Sequence, residues 1–312
     1  MARAFLFPGQ GSQHVGMGAD LVREFPEARR TMEESDDALG YALSRLCADG
    51  PESTLALTEH AQPAILAVSV AVLRVLEERA GERPEIAAGH SLGEYTALVA
   101  AGALEFGVAL RVVQARGRLM QEAVSPGVGA MTAIVGVDAS MIEEWCATVR
   151  RDGEVVGPAN YNGAGQIVIA GHAAAVDRVA ALAKDHGARL VRRLPVSAPF
   201  HCALMSPAAE ALAGVLRGVP FRAPRVLLVS NLDGCLVSDP AELAQRLARQ
   251  VEQPVRWDRC MATVVARGCT QALELGPGNT LSALARRMAL GLTSRPVGTA
   301  AAVHELLGGA TA

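Results

Sequence analysis

Apolar and polar positions follow two periods along this chain. Short apolar runs at 4–7, 86–88, 225–230 and 272–275, bounded by glycine or proline, read as buried strands. Longer apolar-rich stretches at 63–78, 94–101, 108–122, 202–217, 240–251 and 280–288 have the length and phase of helices. No internal repeat is visible, and the alternation of the two patterns predicts an α/β protein. The stretch 130–196 has its own rhythm: strand (130–137), helix (139–150), strand (154–160), strand (166–170), helix (173–186), strand (189–196). That order is βαββαβ, the ferredoxin-like pattern. Turn-rich segments at 125–127 and 195–199 flank it. The expected organisation is a large α/β subdomain made of 1–126 and 197–312, interrupted by a small subdomain at 127–196.

Length agrees with this, because 312 residues suggest two domains or one large domain with an insertion. Net charge is −3 and aromatic residues make up 4%, which supplies neither a basic field nor stacking platforms, so no nucleic-acid partner is expected. Residues 1–9 lack the features of a signal peptide, and no uncharged apolar run reaches the roughly 18 residues of a membrane span. No membrane association is expected. The six cysteines form no CxxC pair and no ligand spacing with histidine, which argues against a zinc site or a disulfide framework and fits a reducing cytoplasm. No metal is expected. Of the 29 basic residues only Lys184 is a lysine, a bias that codon preference in a GC-rich genome explains for the set as a whole.

Chemistry enters at Gly89-His90-Ser91-Leu92-Gly93, a G-x-S-x-G pattern where a strand ends and a helix begins. The glycines permit a strained turn that holds the serine hydroxyl out of the sheet, and the helix N-terminus turns free N–H groups toward the same point. A plain strand-to-helix turn with Ser91 as N-cap is the alternative. His90 adjoins the serine in a tight turn, where neighbouring side chains diverge, so it reads as a packing or orienting residue. Among the other histidines, His201 stands after a strand and before a helix, at the strand end where open α/β sheets gather their sites. His14, His60, His172, His186 and His304 sit in polar or terminal stretches typical of surface residues.

Helical phase isolates one arginine. At about 100° per residue, Val108, Ala109, Val112, Val113, Leu119 and Met120 share an arc of roughly 140°, and Arg116 falls inside it while Arg111 and Arg118 point away. A guanidinium on an apolar face calls for an anionic partner. That partner is either an internal carboxylate, with snorkelling as a further option, or the carboxylate of a substrate.

In chain order, Phe7-Pro8-Gly9-Gln10-Gly11-Ser12-Gln13, Gln62-Pro63-Ala64, Gly89-His90-Ser91-Leu92-Gly93-Glu94, Arg116-Gly117, Met120-Gln121-Glu122-Ala123, Asn160-Tyr161-Asn162, Pro199-Phe200-His201 and Glu274-Leu275-Gly276-Pro277-Gly278 span nearly the whole chain. This ordered set resembles the malonyl-CoA:acyl carrier protein transacylases and the related polyketide-synthase acyltransferases. The resemblance implies a hydrolase-like α/β core with a ferredoxin-like insert. It further implies Ser91 as the acylated nucleophile, His201 as its base, backbone N–H groups of Gln10 and Leu92 as oxyanion hole, and Arg116 as ligand of the malonyl carboxylate. Gln250 matches the position that helps orient the histidine, in a dyad without the acidic third member of hydrolase triads; neither Asp233 nor Asp258 is given that role. Phe200 resembles the malonyl-selecting form, in which a bulky ring excludes an α-methyl branch. Two departures bear on selectivity: the wording of Ser197-Ala198-Pro199, and Ala61 where threonine is more usual.

The implied reaction is ping-pong transfer from malonyl-CoA to the phosphopantetheine thiol of acyl carrier protein, in fatty-acid or polyketide synthesis. It exchanges one thioester for another of similar energy, so no bound cofactor is expected and coenzyme A enters only with the substrate. An acyl-thioester hydrolase using the same Ser-His pair is the alternative enzyme, and a non-catalytic carrier-binding protein the alternative of another class. Because carrier proteins are acidic, Arg192, Arg193, Arg286 and Arg287 are candidates for a basic docking rim.

Overall fold

In a computed structural model of the chain, which describes residues 3–196 and 198–308, two sheets organise the molecule. Among the described residues the chain opens with β1 (Arg3–Phe7), the helices α1 (Ala19–Glu24), α2 (Pro26–Leu39), α3 (Leu43–Asp49) and α4 (Glu52–Leu55), and the long α5 (Thr58–Ala80). It continues through β2 (Ile86–Gly89), α6 (Gly93–Ala100) and α7 (Phe106–Glu122). The middle segment runs β3 (Gly129–Val135), α8 (Ala139–Thr148), β4 (Val156–Gly163), β5 (Gln166–His172), α9 (Ala173–Asp185) and β6 (Leu190–Arg193). The chain returns through a 3₁₀ turn (Ala203–Met205) and α10 (Ser206–Leu216), then β7 (Leu227–Leu228), α11 (Pro240–Gln250), α12 (Trp257–Ala266), β8 (Gln271–Leu275), α13 (Thr280–Met288), β9 (Thr293–Val297) and α14 (Ala300–Gly308).

The first sheet is parallel throughout, in the order β7-β2-β1-β8-β9. Period two explains its burial on both faces. Phe5 and Phe7 of β1 point into the cluster built on α5, α6 and α7, while Ala4 and Leu6 point into the cluster of Trp257, Cys260 and Leu284 from α12 and α13. Phe7 lies opposite Gly89 and Leu6 opposite Glu274, so the C-terminal ends of β1, β2 and β8 open onto one edge. Functional loops of open parallel sheets collect at that edge.

The second sheet is antiparallel in the order β4-β5-β3-β6, which with α8 and α9 gives the ferredoxin-like arrangement predicted from the βαββαβ pattern. Alternation again divides its faces. Ile134, Ile167 and Ile169 pack under α8 and α9, whereas Met131, Ala133, Val168 and Ala170 join the main core. The small sheet therefore presses one whole face on the large unit, and β4 is tied to it by Val255 N–H donating to the Ala159 carbonyl at 2.9 Å and Tyr161 N–H to the Val255 carbonyl at 2.9 Å.

Several elements differ from the pattern reading. The helix expected from Pro63 begins at Thr58 and carries Pro63 inside, the proline lying close enough to the N-terminus to remove only one intrahelical bond. α5 is apolar enough over 23 residues to cross a bilayer by length and composition, yet 83% of its apolar window is buried, as expected of a helix hydrophobic all round at the centre of a core. The strand expected at 225–230 shortens to Leu227–Leu228 and that at 189–196 to Leu190–Arg193. Helices α1 to α4, α12 and α14 and strand β9 are additional to the elements read from the pattern. Ser197, one of the residues that depart from the family wording, lies outside the described residues.

Candidate active site

Ser91 sits two residues past the end of β2 with φ 52°, the left-handed region that non-glycine residues adopt only under constraint. The turn needs its glycines for contact as well as freedom. A Cβ at Gly89 would stand 1.8 Å from the Gly93 carbonyl oxygen, and one at Gly93 would stand 2.1 Å from the Phe7 carbonyl oxygen. Asn231, just beyond β7, clasps the strained turn from below: its Oδ1 accepts from Ser91 N–H at 2.6 Å and its Nδ2 donates to the Gly89 carbonyl at 2.7 Å.

His201 is 4% exposed, also has a positive φ of 60°, and places Nε2 at 2.7 Å from Ser91 Oγ. Its Nδ1 lies 2.7 Å from the main-chain carbonyl of Gln250. A carbonyl only accepts, so Nδ1 carries the proton and Nε2 offers its lone pair to the serine hydroxyl. Burial, and next the nearby charge of Arg116, hold the imidazole down at about 3, against an ordinary value of 6.5. It is neutral in the physiological range and available as a proton acceptor.

Arg116 is 1% exposed and reaches the same point from α7. Nη1 donates to Gln62 Oε1 at 2.8 Å, and Nη2 donates to Gln250 Oε1 at 2.9 Å and to Ser91 Oγ at 3.1 Å. The guanidinium also lies against Tyr95, with Cζ 5.5 Å from the ring centroid. All its hydrogen-bond acceptors are neutral, and among the described residues no carboxylate comes within 4.0 Å of it. The internal salt bridge considered for this arginine is therefore not formed.

These groups line a narrow cavity of about 90 Å³ together with Gln10, His90, Met120, Met131, Asn160, Leu194, Val196 and Phe200. The small sheet supplies Met131 and Asn160, so the cavity lies between the two units. Phe200 is 6% exposed and forms part of the wall. Neither Gln10 N–H nor Leu92 N–H, at the start of α6, has an acceptor among the described residues. His90, read as a packing or orienting residue, has Nε2 2.9 Å from Asn162 Oδ1 on β4 and its ring against Trp257.

Gln250 meets His201 through its backbone, in line with the orienting position it matches. The main-chain carbonyl holds the histidine, and the side-chain amide goes elsewhere, to Arg116, to the Ser91 carbonyl at 2.9 Å and to Glu94 at 2.7 Å. Glu94 itself is buried, which raises its carboxyl to about 7 against the pull of hydrogen bonds from Gln250 and Asn231. Asp233 pairs with Arg246 and Asp258 with Arg256, so neither serves His201. His60 and His172 are half-buried rather than on the surface, His60 against Tyr41 and His172 accepting from Val155 N–H. Arg192, Arg193, Arg286 and Arg287 are exposed and outside the cavity; Arg193 pairs with Asp177 and Arg287 donates to Gln166. Gln62, Glu94 and Asn231 were not singled out as site residues from sequence. A polar residue inside an apolar helix was the available signal for the first two, and a position just past a strand's C-terminal end for the third.

The acyl transferase domain model matches residues 4–303. The malonyl CoA-acyl carrier protein transacylase of Salmonella typhimurium is 44% identical over 304 residues, covering 97% of this chain and 98% of the relative. The crystal structure of an acyl carrier protein S-malonyltransferase from Vibrio cholerae superposes with a TM-score of 0.95 at 44% identity, covering 98% of this chain and 100% of the other. A malonyl-transacylase solved in complex with a type II PKS acyl-carrier protein gives 0.96 at 44% identity, with 99% and 100% covered. With identity of this extent along both lengths, the chain belongs to the malonyl CoA-acyl carrier protein transacylases of the acyl transferase domain family.

Proposed function

We propose that this protein transfers a malonyl group from malonyl-CoA to the phosphopantetheine thiol of an acyl carrier protein through a malonyl-Ser91 intermediate. The observation that carries the reading is Arg116, a buried guanidinium whose hydrogen-bond partners among the described residues are all neutral, 3.1 Å from the hydroxyl that faces His201. A charge that cannot be shed and has no counter-ion in contact among the described residues fits a substrate that brings its own carboxylate. Hydrolysis of an uncharged acyl group has no use for it.

In the forward half-reaction His201 Nε2 takes the Ser91 proton as Oγ attacks the thioester carbonyl. The oxyanion is received by the N–H groups of Gln10 and Leu92, which have no other acceptor among the described residues, and collapses to expel the coenzyme A thiolate, which takes the proton back from His201. The carrier thiol then gives its proton to His201, attacks the malonyl ester and regenerates Ser91. Thioester is exchanged for thioester, and the chemistry draws on no bound cofactor. Phe200 limits the width of the cavity at the α-carbon, and Arg192, Arg193, Arg286 and Arg287 attract the acidic carrier. The chain divides for this work into 1–126 with 197–312 as the catalytic subdomain and 127–196 as the small subdomain roofing the cavity. A cytoplasmic location follows from the reaction's partners.

The deciding experiment is acyl-enzyme formation from malonyl-CoA and acetyl-CoA in wild type and Arg116→Ala. A loss confined to the malonyl donor is expected; an equal loss for both would sink the clamp.

A further inference from the structure

Beneath the nucleophile turn three polar side chains are buried together: Glu94 on α6, 4% exposed, Asn231 and Gln250. None of them lines the cavity. Glu94 Oε2 accepts from Gln250 Nε2 at 2.7 Å and from Asn231 N–H at 3.1 Å. Around it α6 is apolar and buried at Ala97 and Leu98, surroundings in which a carboxylate carries a desolvation cost that a plain helical turn does not require.

The two ends of a glutamine amide have nearly the same shape and are distinguished by their partners. Arg116 only donates, so it needs the carbonyl end of Gln250, found 2.9 Å from Nη2. The Ser91 carbonyl and Glu94 need the NH₂ end. A turned amide would press donors against a buried guanidinium and leave Glu94 facing a carbonyl oxygen. Gln250 is thus an adaptor between a cation and an acceptor that is anionic when ionised, while its main-chain carbonyl separately anchors His201.

We propose that Glu94 is a positioning residue for the carboxylate clamp, holding the Gln250 amide in the orientation whose carbonyl steadies Arg116. The inference rests on the reading of Arg116 as the malonyl ligand. Because His201 hangs on the main chain of Gln250, disturbing the amide acts on selection of the acyl group more than on the reactivity of Ser91.

The test measures acyl-enzyme formation from malonyl-CoA and acetyl-CoA in wild type, Glu94→Gln and Glu94→Met. Glu94→Gln keeps a carbonyl where Oε2 stands, and the malonyl-over-acetyl preference is expected to stay within about threefold of wild type. Glu94→Met removes the acceptor and is expected to lower the preference about tenfold, the scale of one hydrogen bond in a charged network. Glu94→Asp keeps the charge but stops one methylene short of Gln250; it is expected to follow Glu94→Met and replaces it if the methionine variant does not fold. An equal fall for both donors in these variants overturns the proposal, as does a Glu94→Gln loss as large as that of Glu94→Met. If wild type shows no malonyl preference, or one that Arg116→Ala leaves intact, the clamp itself fails. A preference that Arg116→Ala destroys and the Glu94 variants preserve removes only the role of Glu94.

Discussion

Ser91, His201 and Arg116 converge from three separate elements, and their chemistry follows from what surrounds each. Truncating Arg116 to alanine would leave a malonyl carboxylate unpaired in the cavity, which costs about 2–5 kcal/mol at other buried charge pairs, and kcat/KM for malonyl-CoA is expected to fall accordingly while acetyl-CoA is spared. Burial and the Arg116 charge hold His201 at about 3, so its lone pair is present above that pH and lost below it. The kcat/KM profile, which reports the free enzyme, is expected to lack the acid fall near the ordinary histidine value of about 6.5; a titration midpoint there would refute the assignment of a buried neutral base. Glu94 shifts the other way, from 4.5 up to about 7. Between those values the folded state holds more protons than the unfolded chain, so this group's contribution to stability falls as pH rises through the window. Glu94→Gln removes that dependence, and its Tm relative to wild type is expected to be more favourable at pH 8 than at pH 5. At this scale the sequence was most legible where a residue broke a pattern. Arg116 violated helical phase and Ser91 sat between two glycines, but the pairing of His201 with Ser91 spans 110 residues and no local period reports it.

Elements hold these residues by close contact. Helix α7 packs along α5 at Gly117, where a Cβ would lie 2.5 Å from the Thr58 carbonyl oxygen. Gly117→Ala is expected to push α7 outward, destabilise the protein by about 1–3 kcal/mol as other overpacked contacts do, and weaken malonyl selection because Arg116 is the adjacent residue. Chemical denaturation together with the malonyl-to-acetyl ratio checks both parts. Strands β1, β2, β3, β5 and β8 were readable because their apolar runs are buried and most are bounded by glycine or proline. Helices α1, α3 and α4 were not, since segments of four to seven residues are too short to show a helical period and acquire their helical state from packing against neighbouring helices. The two-residue β7 was overestimated for a related reason: an apolar run marks burial, and only the neighbouring strand decides how much of it is paired.

For the molecule as a whole, the parallel sheet presents its strand ends to one face of the antiparallel sheet, and the cavity forms where they meet. The βαββαβ order made the insert legible in advance, whereas the closeness of its contact with the core was not, because burial on both faces of a strand leaves the same trace whichever neighbour covers it. Carrier recognition also belongs to this scale. Replacing Arg192 and Arg286 by glutamate is expected to slow transfer to the acidic carrier at low salt, with the difference shrinking as ionic strength rises, and to leave acylation by malonyl-CoA unchanged. An unchanged second-order rate for the carrier would remove these arginines from the docking rim. The central claim, that Ser91 carries the malonyl group between its two thiols, is tested most directly by intact-protein and peptide mass after mixing with malonyl-CoA alone. One malonyl group on the peptide containing Ser91, absent in Ser91→Ala and lost on adding the holo carrier protein, is the predicted result; an adduct that persists in Ser91→Ala, or none in the wild type, would contradict it.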